Sequence, residues 1–236
     1  MLLEMYRIHG QHHFVHSSLF TPIELEPITV DGRRIYPTPS GGKYPSITTV
    51  LGVCPKKKKK LNEWKQRVGY DKAQAISTRA ATRGTNFHKM VEDLLNNCYN
   101  ENNFKGQPLP LMMFKNALPT LNRITKVYLQ EAALYSDHLE VAGRVDCIGE
   151  FDGIPSIIDF KTSKEEKREE WMEDYYIQET AYGCMFYELY NTRIKQLVTI
   201  VACEDGNTQV VIKQPKKEYL DRLIELRALY QEIYGG

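Results

Sequence analysis

Two acids and a lysine stand on what reads as one β-hairpin: Asp146 in VAGRVDCIGEF, then Asp159 and Lys161 in IPSIIDFKTS. The two alternating runs flank Asp152-Gly153, a dipeptide suited to the two-residue type I′ turn that closes a hairpin. That turn sets the pairing: Phe151 against Ile154, Glu150 against Pro155 and, counting outward, Asp146 against Asp159 and Arg144 against Lys161. Opposed residues share a sheet face, as do residues two apart on one strand. The spacing therefore gathers Asp146, Asp159 and Lys161 on one face. Val145, Cys147, Phe151, Ile158 and Phe160 are left for an apolar face. Opposed carboxylates repel and weaken a strand pair, so the pattern asks for a metal ion with an ammonium beside it. A solvated strand with a weak surface ion pair accounts for the same residues, and a bulge would part the two acids.

The elements that must position this hairpin lie on both sides of it. Residues 1–43 read as a β-rich extension, with a second hairpin signal at Asp31-Gly32. Residues 44–236 read as the main domain, with a helical part over 44–130 and a central sheet with flanking helices over 131–236. In YPSITTVLG, Ser46 is placed to cap a short helix over 47–51 that stops at Gly52. The hydroxyls of Ser46 and Thr48 either serve that backbone or meet a phosphate. Lys56 to Lys60 form an unbroken run, read either as a solvated loop or as a patch in which Lys56, Lys57 and Lys58 track phosphates. Trp64 would then stack on a base, unless it simply packs.

Helical periodicity covers 61–98, with a break near Arg83-Gly84 and an apolar stripe through Phe87, Met90, Val91, Leu94 and Cys98. His88 sits at the edge of that stripe, either as a structural histidine or near a helix start and a guanidinium that welcome an anion. A polar linker over 99–107 leads to a helix expected over 111–129 and broken near Pro119. Strands follow near 131–135, 196–203 and 209–213, and an amphipathic helix over 217–234 closes the chain. A further helix over 171–190 puts Trp171, Tyr175, Gln178, Tyr182, Met185 and Leu189 on one face. An amide in such a stripe costs about 1–3 kcal/mol unless it is hydrogen-bonded. Gln178 therefore either ties down a loop or reaches toward the hairpin.

Bulk properties narrow the function class. With 236 residues, 42% hydrophobic and a net charge of +1, the chain suits one globular core, or one core with a small appended subdomain, and its global charge announces no nucleic acid. No apolar run reaches membrane-spanning length, and no signal peptide is evident. The five cysteines are scattered and lack a C-x-x-C, which argues against a disulfide framework, a zinc ribbon or an iron–sulfur cluster and for a cytoplasmic setting. His9, His12, His13 and His16 read as a strand-like or irregular leader rather than a metal site.

Taken together, Arg83-Gly84 with His88, Gly143-Arg144-Val145-Asp146, Asp159-Phe160-Lys161-Thr162, and Gln178 with Tyr182 resemble the PD-(D/E)XK nuclease superfamily in its RecB-like branch. Within it the chain looks most like the mitochondrial genome maintenance exonuclease group and its phage-encoded relatives, over residues 44–190. The resemblance implies an α/β fold with a restriction-endonuclease-like core, a mixed central sheet flanked by helices; the N-terminal β/helical extension lies outside it and matches no part of the family. It implies a metal-dependent exonuclease acting on single-stranded DNA, with a structure-specific endonuclease or an inactive nucleic-acid-binding module as alternatives. By the same resemblance Asp146, Asp159, His88 and the Phe160 carbonyl would hold Mg²⁺ or Mn²⁺, with Glu131 beside them. Lys161 would orient or deprotonate water, helped by a pKa lowered near cations. Gln178 and Tyr182 would lie against the substrate strand, as would Arg83 and Thr162. The chain departs from cluster-bearing relatives in its cysteine pattern. Glu4, Glu24 and Glu26 interrupt any Arg-rich leader, which favours a phage or bacterial cytoplasm over a mitochondrion.

Overall fold

In the computed structural model, which describes residues 13–235, alternating and helical stretches build a mixed sheet between two helical layers. The N-terminal part holds β1 (Val15–His16), β2 (Ile28–Val30), β3 (Arg33–Pro37) and β4 (Lys43–Pro45). Four helices follow: α1 (Ile47–Leu51), α2 (Pro55–Val68), α3 (Tyr70–Leu95) and α4 (Pro108–Leu121). Then come β5 (Ile124–Ser136), β6 (Val141–Phe151), β7 (Ile154–Ser163), α5 (Glu173–Tyr190), β8 (Gln196–Cys203), β9 (Thr208–Lys213) and α6 (Lys217–Tyr234).

The main sheet runs β1-β5-β6-β7-β8-β9. Its β1–β5 and β7–β8 pairs are parallel and the rest antiparallel. On one face α1, α5 and α6 bury Ile47, Val50, Ile177, Met185, Phe186, Leu223 and Leu226 against Ile148, Ile157, Leu197 and Val201. On the other, α3 and α4 bury Phe87, Met90, Met113 and Phe114 against Cys147, Phe151, Ile158 and Ile200. The mixed α/β architecture expected from the sequence is therefore present. The N-terminal segment is continuous with it: β1 is an edge strand of the main sheet, and β4 straddles the boundary drawn at residue 43.

Several boundaries differ from the sequence expectation. The lysine run is helical, because Pro55 opens α2 at a position where a missing N–H costs nothing. The helical break falls at Gly69, whose φ of 88° suits glycine alone, and α3 runs unbroken through Arg83-Gly84. Pro119 lies within the last turn of α4 without breaking it, and the helix ends at Leu121. The chain turns to strand at Ile124, where Ile124, Thr125, Val127 and Tyr128 favour the pleated surface. Trp171 lies in a 3₁₀ turn before α5 and is 56% exposed rather than part of the helix stripe. Of the histidine leader, His9 and His12 fall outside the described residues, while His16 Nε2 contacts the Leu95 carbonyl at 2.8 Å. No helix among the described residues is long and apolar enough to cross a membrane.

Candidate metal and catalytic centre

The hairpin turn forms as its sequence requires, with Asp152 and Gly153 at φ 53° and 78°. Pairing proceeds as counted, from Phe151–Ile154 to Cys147–Ile158, and there it stops. The next pair would set Asp146 against Asp159. Instead the strands part, and Asp146 Oδ2 accepts the Phe160 backbone N–H at 2.9 Å. Arg144 does not face Lys161 either; its guanidinium donates to the Glu131 carbonyl on β5.

A matching irregularity lies on β5. Its pairing with β6 includes Gln130–Cys147 and Ala132–Val145 but omits Glu131 and Asp146 between them. Glu131 has φ 46°, an unusual conformation for a non-glycine strand residue. The alternation slips here in both strands: Leu129 and Ala132 share one face, as do Val145 and Ile148. Val145 thus leaves the apolar face expected for it and packs with α1 and α5, while Cys147 packs with α3 and α4. Such local departures cost energy and concentrate at functional sites. The two residues that break the pattern are the two acids.

His88 enters from α3, with Nδ1 3.7 Å from Asp146 Oδ2 and its ring edge-on to Phe160. Ligand atoms of His88, Glu131 and Asp146 lie within 4.8 Å of one another, and all three residues are half-buried. Asp159 is 2% exposed and ion-paired with Lys161 on the same strand. Burial, added to the Asp146 charge, raises the Asp159 carboxyl to about 6 against the pull of Lys161. Burial and Asp146 likewise raise Glu131 to about 7, partly offset by His88. For Lys161, burial disfavours the charge, but Asp159 and Asp146 outweigh it and hold the ammonium above its ordinary range. With protein groups alone around it, Lys161 is the ion-pair partner of Asp159. An oxygen-rich set with one imidazole fits Mg²⁺ or Mn²⁺ better than Zn²⁺. Burial and mutual repulsion that hold these carboxyls above their ordinary range are also what a divalent ion would offset.

The other candidate residues divide by what they touch. Tyr182 is buried, and its hydroxyl donates to the Arg144 carbonyl at 2.9 Å, so it props the strand carrying Asp146 rather than facing a substrate. Gly143 is required beneath it, because a Cβ there would meet the Tyr182 oxygen at 2.8 Å. Gln178 is half-buried with its amide 3.5 Å from the same hydroxyl, at the cleft side of α5. Arg83 is ion-paired through Nη1 with Glu204 in the β8–β9 turn, while its buried Nε meets no acceptor among the described residues. Ser46 is buried and caps α1 by accepting the Thr49 N–H at 3.1 Å, so its hydroxyl serves the backbone. Thr48 is exposed, and Thr162 is half-buried near Gly84. Lys56 and Lys58 are exposed on α2, Lys57 pairs with Asp174 at 2.7 Å, and Trp64 is half-buried.

Sequence reasoning passed over Glu179, which is fully buried on α5 and accepts the Thr199 hydroxyl. Its only signal was a charged residue inside a helix stripe. It also passed over Tyr175 as a partner of the lysine, whose Nζ lies 5.2 Å from that ring's centre.

No protein-family model matches the chain. Among curated proteins it is similar to Mitochondrial genome maintenance exonuclease 1 of Mus musculus, 28% identical over 175 residues that cover 69% of this chain and 51% of the relative. The same protein of Homo sapiens is 26% identical over 174 residues, covering 69% and 50%. That of Xenopus tropicalis is 27% identical over 180 residues, covering 71% and 51%. The chain therefore spans about half the length of the curated relatives it matches. A solved structure from Eubacterium rectale aligns over 64% of each chain with a TM-score of 0.40 and 13% identity, a likeness too slight to carry an argument.

Proposed function

We propose that this protein is a divalent-metal-dependent deoxyribonuclease that digests single-stranded DNA from an end. One observation carries the reading. His88, Glu131 and Asp146 converge where β6 and β7 part, with Asp159 and Lys161 on the facing strand. The relatives named as exonucleases support a nuclease. The preference for single strands and for ends rests on the family resemblance.

In this reading Asp146, Asp159, Glu131 and His88 would hold the ion, with the Phe160 carbonyl as a further ligand. Mg²⁺ or Mn²⁺ held there would supply Lewis acidity toward the attacking water and the phosphate oxygens. Lys161 orients the attacking water and stabilises negative charge that grows on phosphorus-bound oxygen. The water oxygen bonds to phosphorus as the opposite P–O bond breaks, leaving a phosphomonoester on one product and a hydroxyl on the other. Tyr182 and Gly143 keep Asp146 at the fork. Gln178 and the exposed lysines of α2 contact the strand.

An end-labelled assay with linear and circular, single- and double-stranded DNA tests this, run with Mg²⁺, Mn²⁺ or a chelator. Linear single strands should be digested with metal and circles spared. Cleavage of circles would replace the exonuclease reading with an endonuclease. Binding to every substrate without cleavage by either metal would leave a nucleic-acid-binding module.

A further inference from the structure

Glu179 lies in the helical layer under Asp159 and Lys161 and plays no part in the mechanism above. It is fully buried; one carboxylate oxygen accepts the Thr199 hydroxyl, and the other, Oε2, meets no hydrogen-bond donor among the described residues. Thr199 is the β8 residue in register with Asp159, so Glu179 reaches the sheet at the level of that acid. One turn earlier on α5, Tyr175 lays its ring against the Lys161 ammonium. Residues four apart on a helix present to the same neighbour. Lys161 therefore lies against the α5 face that also carries Glu179, and its charge acts on that carboxyl.

The ion pair between Lys161 and Asp159 poses a conflict. Asp159 would serve a metal ion, yet its carboxylate is held by an ammonium. Freeing that carboxylate takes from Lys161, mostly shielded from water, the acid it is paired with, which is costly in a buried setting. We propose that Glu179 is the second seat of Lys161: when Asp159 turns to a divalent cation, the ammonium passes along the Tyr175 ring to Glu179 Oε2. Glu179 is then a positioning residue that lets one acid serve the metal while the lysine stays in the cleft. Burial beside Asp159 and Asp146 already holds the Glu179 carboxyl well above its ordinary range, a penalty that an arriving ammonium reduces. This inference rests on the metal reading of the site.

Calorimetric titration of Mn²⁺ into the full chain tests it without measuring cleavage. If Lys161 has no second seat it competes with the metal for Asp159. Glu179→Leu should therefore weaken Mn²⁺ binding by about tenfold, the scale on which groups behind a metal ligand act. In a Lys161→Ala background the competitor is gone, and the same substitution should change Mn²⁺ affinity by less than about twofold. Glu179→Gln, which keeps the volume and an acceptor for Thr199 but not the charge, should show a smaller loss with the same dependence on Lys161. It decides the question if the leucine variant does not fold. Equal losses in both backgrounds, or none in either, would overturn the second seat while leaving the metal site standing. An unaltered protein that binds no Mn²⁺ would overturn the metal reading, and this inference with it.

Discussion

The two ends of the β6–β7 hairpin share one alternating sequence style yet end in opposite states. Near the turn, five successive pairs from Phe151–Ile154 to Cys147–Ile158 are zipped, with Cys147, Phe151 and Ile158 sealed under α3 and α4. Past Cys147 the strands separate, although each keeps its outer neighbour: β6 stays paired with β5 as far as Val141, and β7 with β8 as far as Ser163. The open end carries Asp146, Asp159 and Lys161. What differs is charge and burial. Apolar pairs gain from closing, whereas acids brought together at low exposure gain from standing apart with a cation or donor between them. The Phe160 N–H, freed from the ladder, is taken by Asp146, so opening leaves that group satisfied.

Substitutions at the two ends should break this contrast in different ways. The largest effect is expected from Lys161→Ala at the open end: loss of cleavage by at least about 10²-fold with folding and DNA binding retained. Steady-state cleavage and thermal unfolding run side by side measure both, and undiminished metal-dependent cleavage would sink the assigned role of Lys161.

Next is pH. Glu131 and Asp159 titrate near 7 and 6 in the folded chain, above their ordinary values of 4.5 and 3.8. Between the ordinary and the raised values the folded chain holds protons that the unfolded chain has lost. The contribution of these groups to stability is therefore full below about pH 4 and declines as pH rises through about 7. Mn²⁺ binds the ionised forms, so its affinity should rise across the same window and its stabilising effect grow. Melting temperatures with and without Mn²⁺ at several pH values read this directly. A metal-induced shift as large at low pH as at high pH would contradict it.

Smaller effects separate structure from chemistry. Gly143→Ala drives a Cβ into Tyr182, and forcing an atom into a packed site costs about 1–3 kcal/mol. Cleavage should fall as well, because Asp146 rides on the strand that Tyr182 props. Gly153→Ala, at φ 78° in open space, should cost about 1–2 kcal/mol for the left-handed conformation and leave cleavage unchanged. Denaturant unfolding and cleavage rates for the two alanine variants compare the ends on one scale. If Gly153→Ala impaired cleavage as Gly143→Ala does, the turn end would not be separable from the site.

Much of this arrangement was legible in the residues. Asp152-Gly153 determined the turn and the first five pairs, since a type I′ turn admits few other dipeptides and register follows from it. Ser46 announced the cap of α1, and the stripe Phe87, Met90, Val91 announced the buried face of the helix that carries His88. Local signals misled where two rules competed. Gly84 read as a break but sits mid-helix, because an isolated glycine is tolerated when its neighbours pack, and Gly69, at a positive φ, was the real stop. The β-branched run at Ile124 was covered by helical periodicity carried over from α4.

The fork itself was decided only by the tertiary structure. Alternation is a property of one strand, and taken alone it placed Asp146 opposite Asp159. The kink that frees Asp146 depends on Glu131, fifteen residues away at φ 46°, with its carbonyl held by Arg144, and on Tyr182 pressing from α5. The Glu179 carboxyl became visible only when α5 packed across β7 and β8 and shut it away from water. The sequence by itself placed Asp146, Asp159 and Lys161 on one hairpin and determined which turn would bring their strands together. The packing of α3, α5 and β5 around that hairpin decided where the strands part, because close contacts between distant segments outweigh the preference of one strand pair to stay zipped.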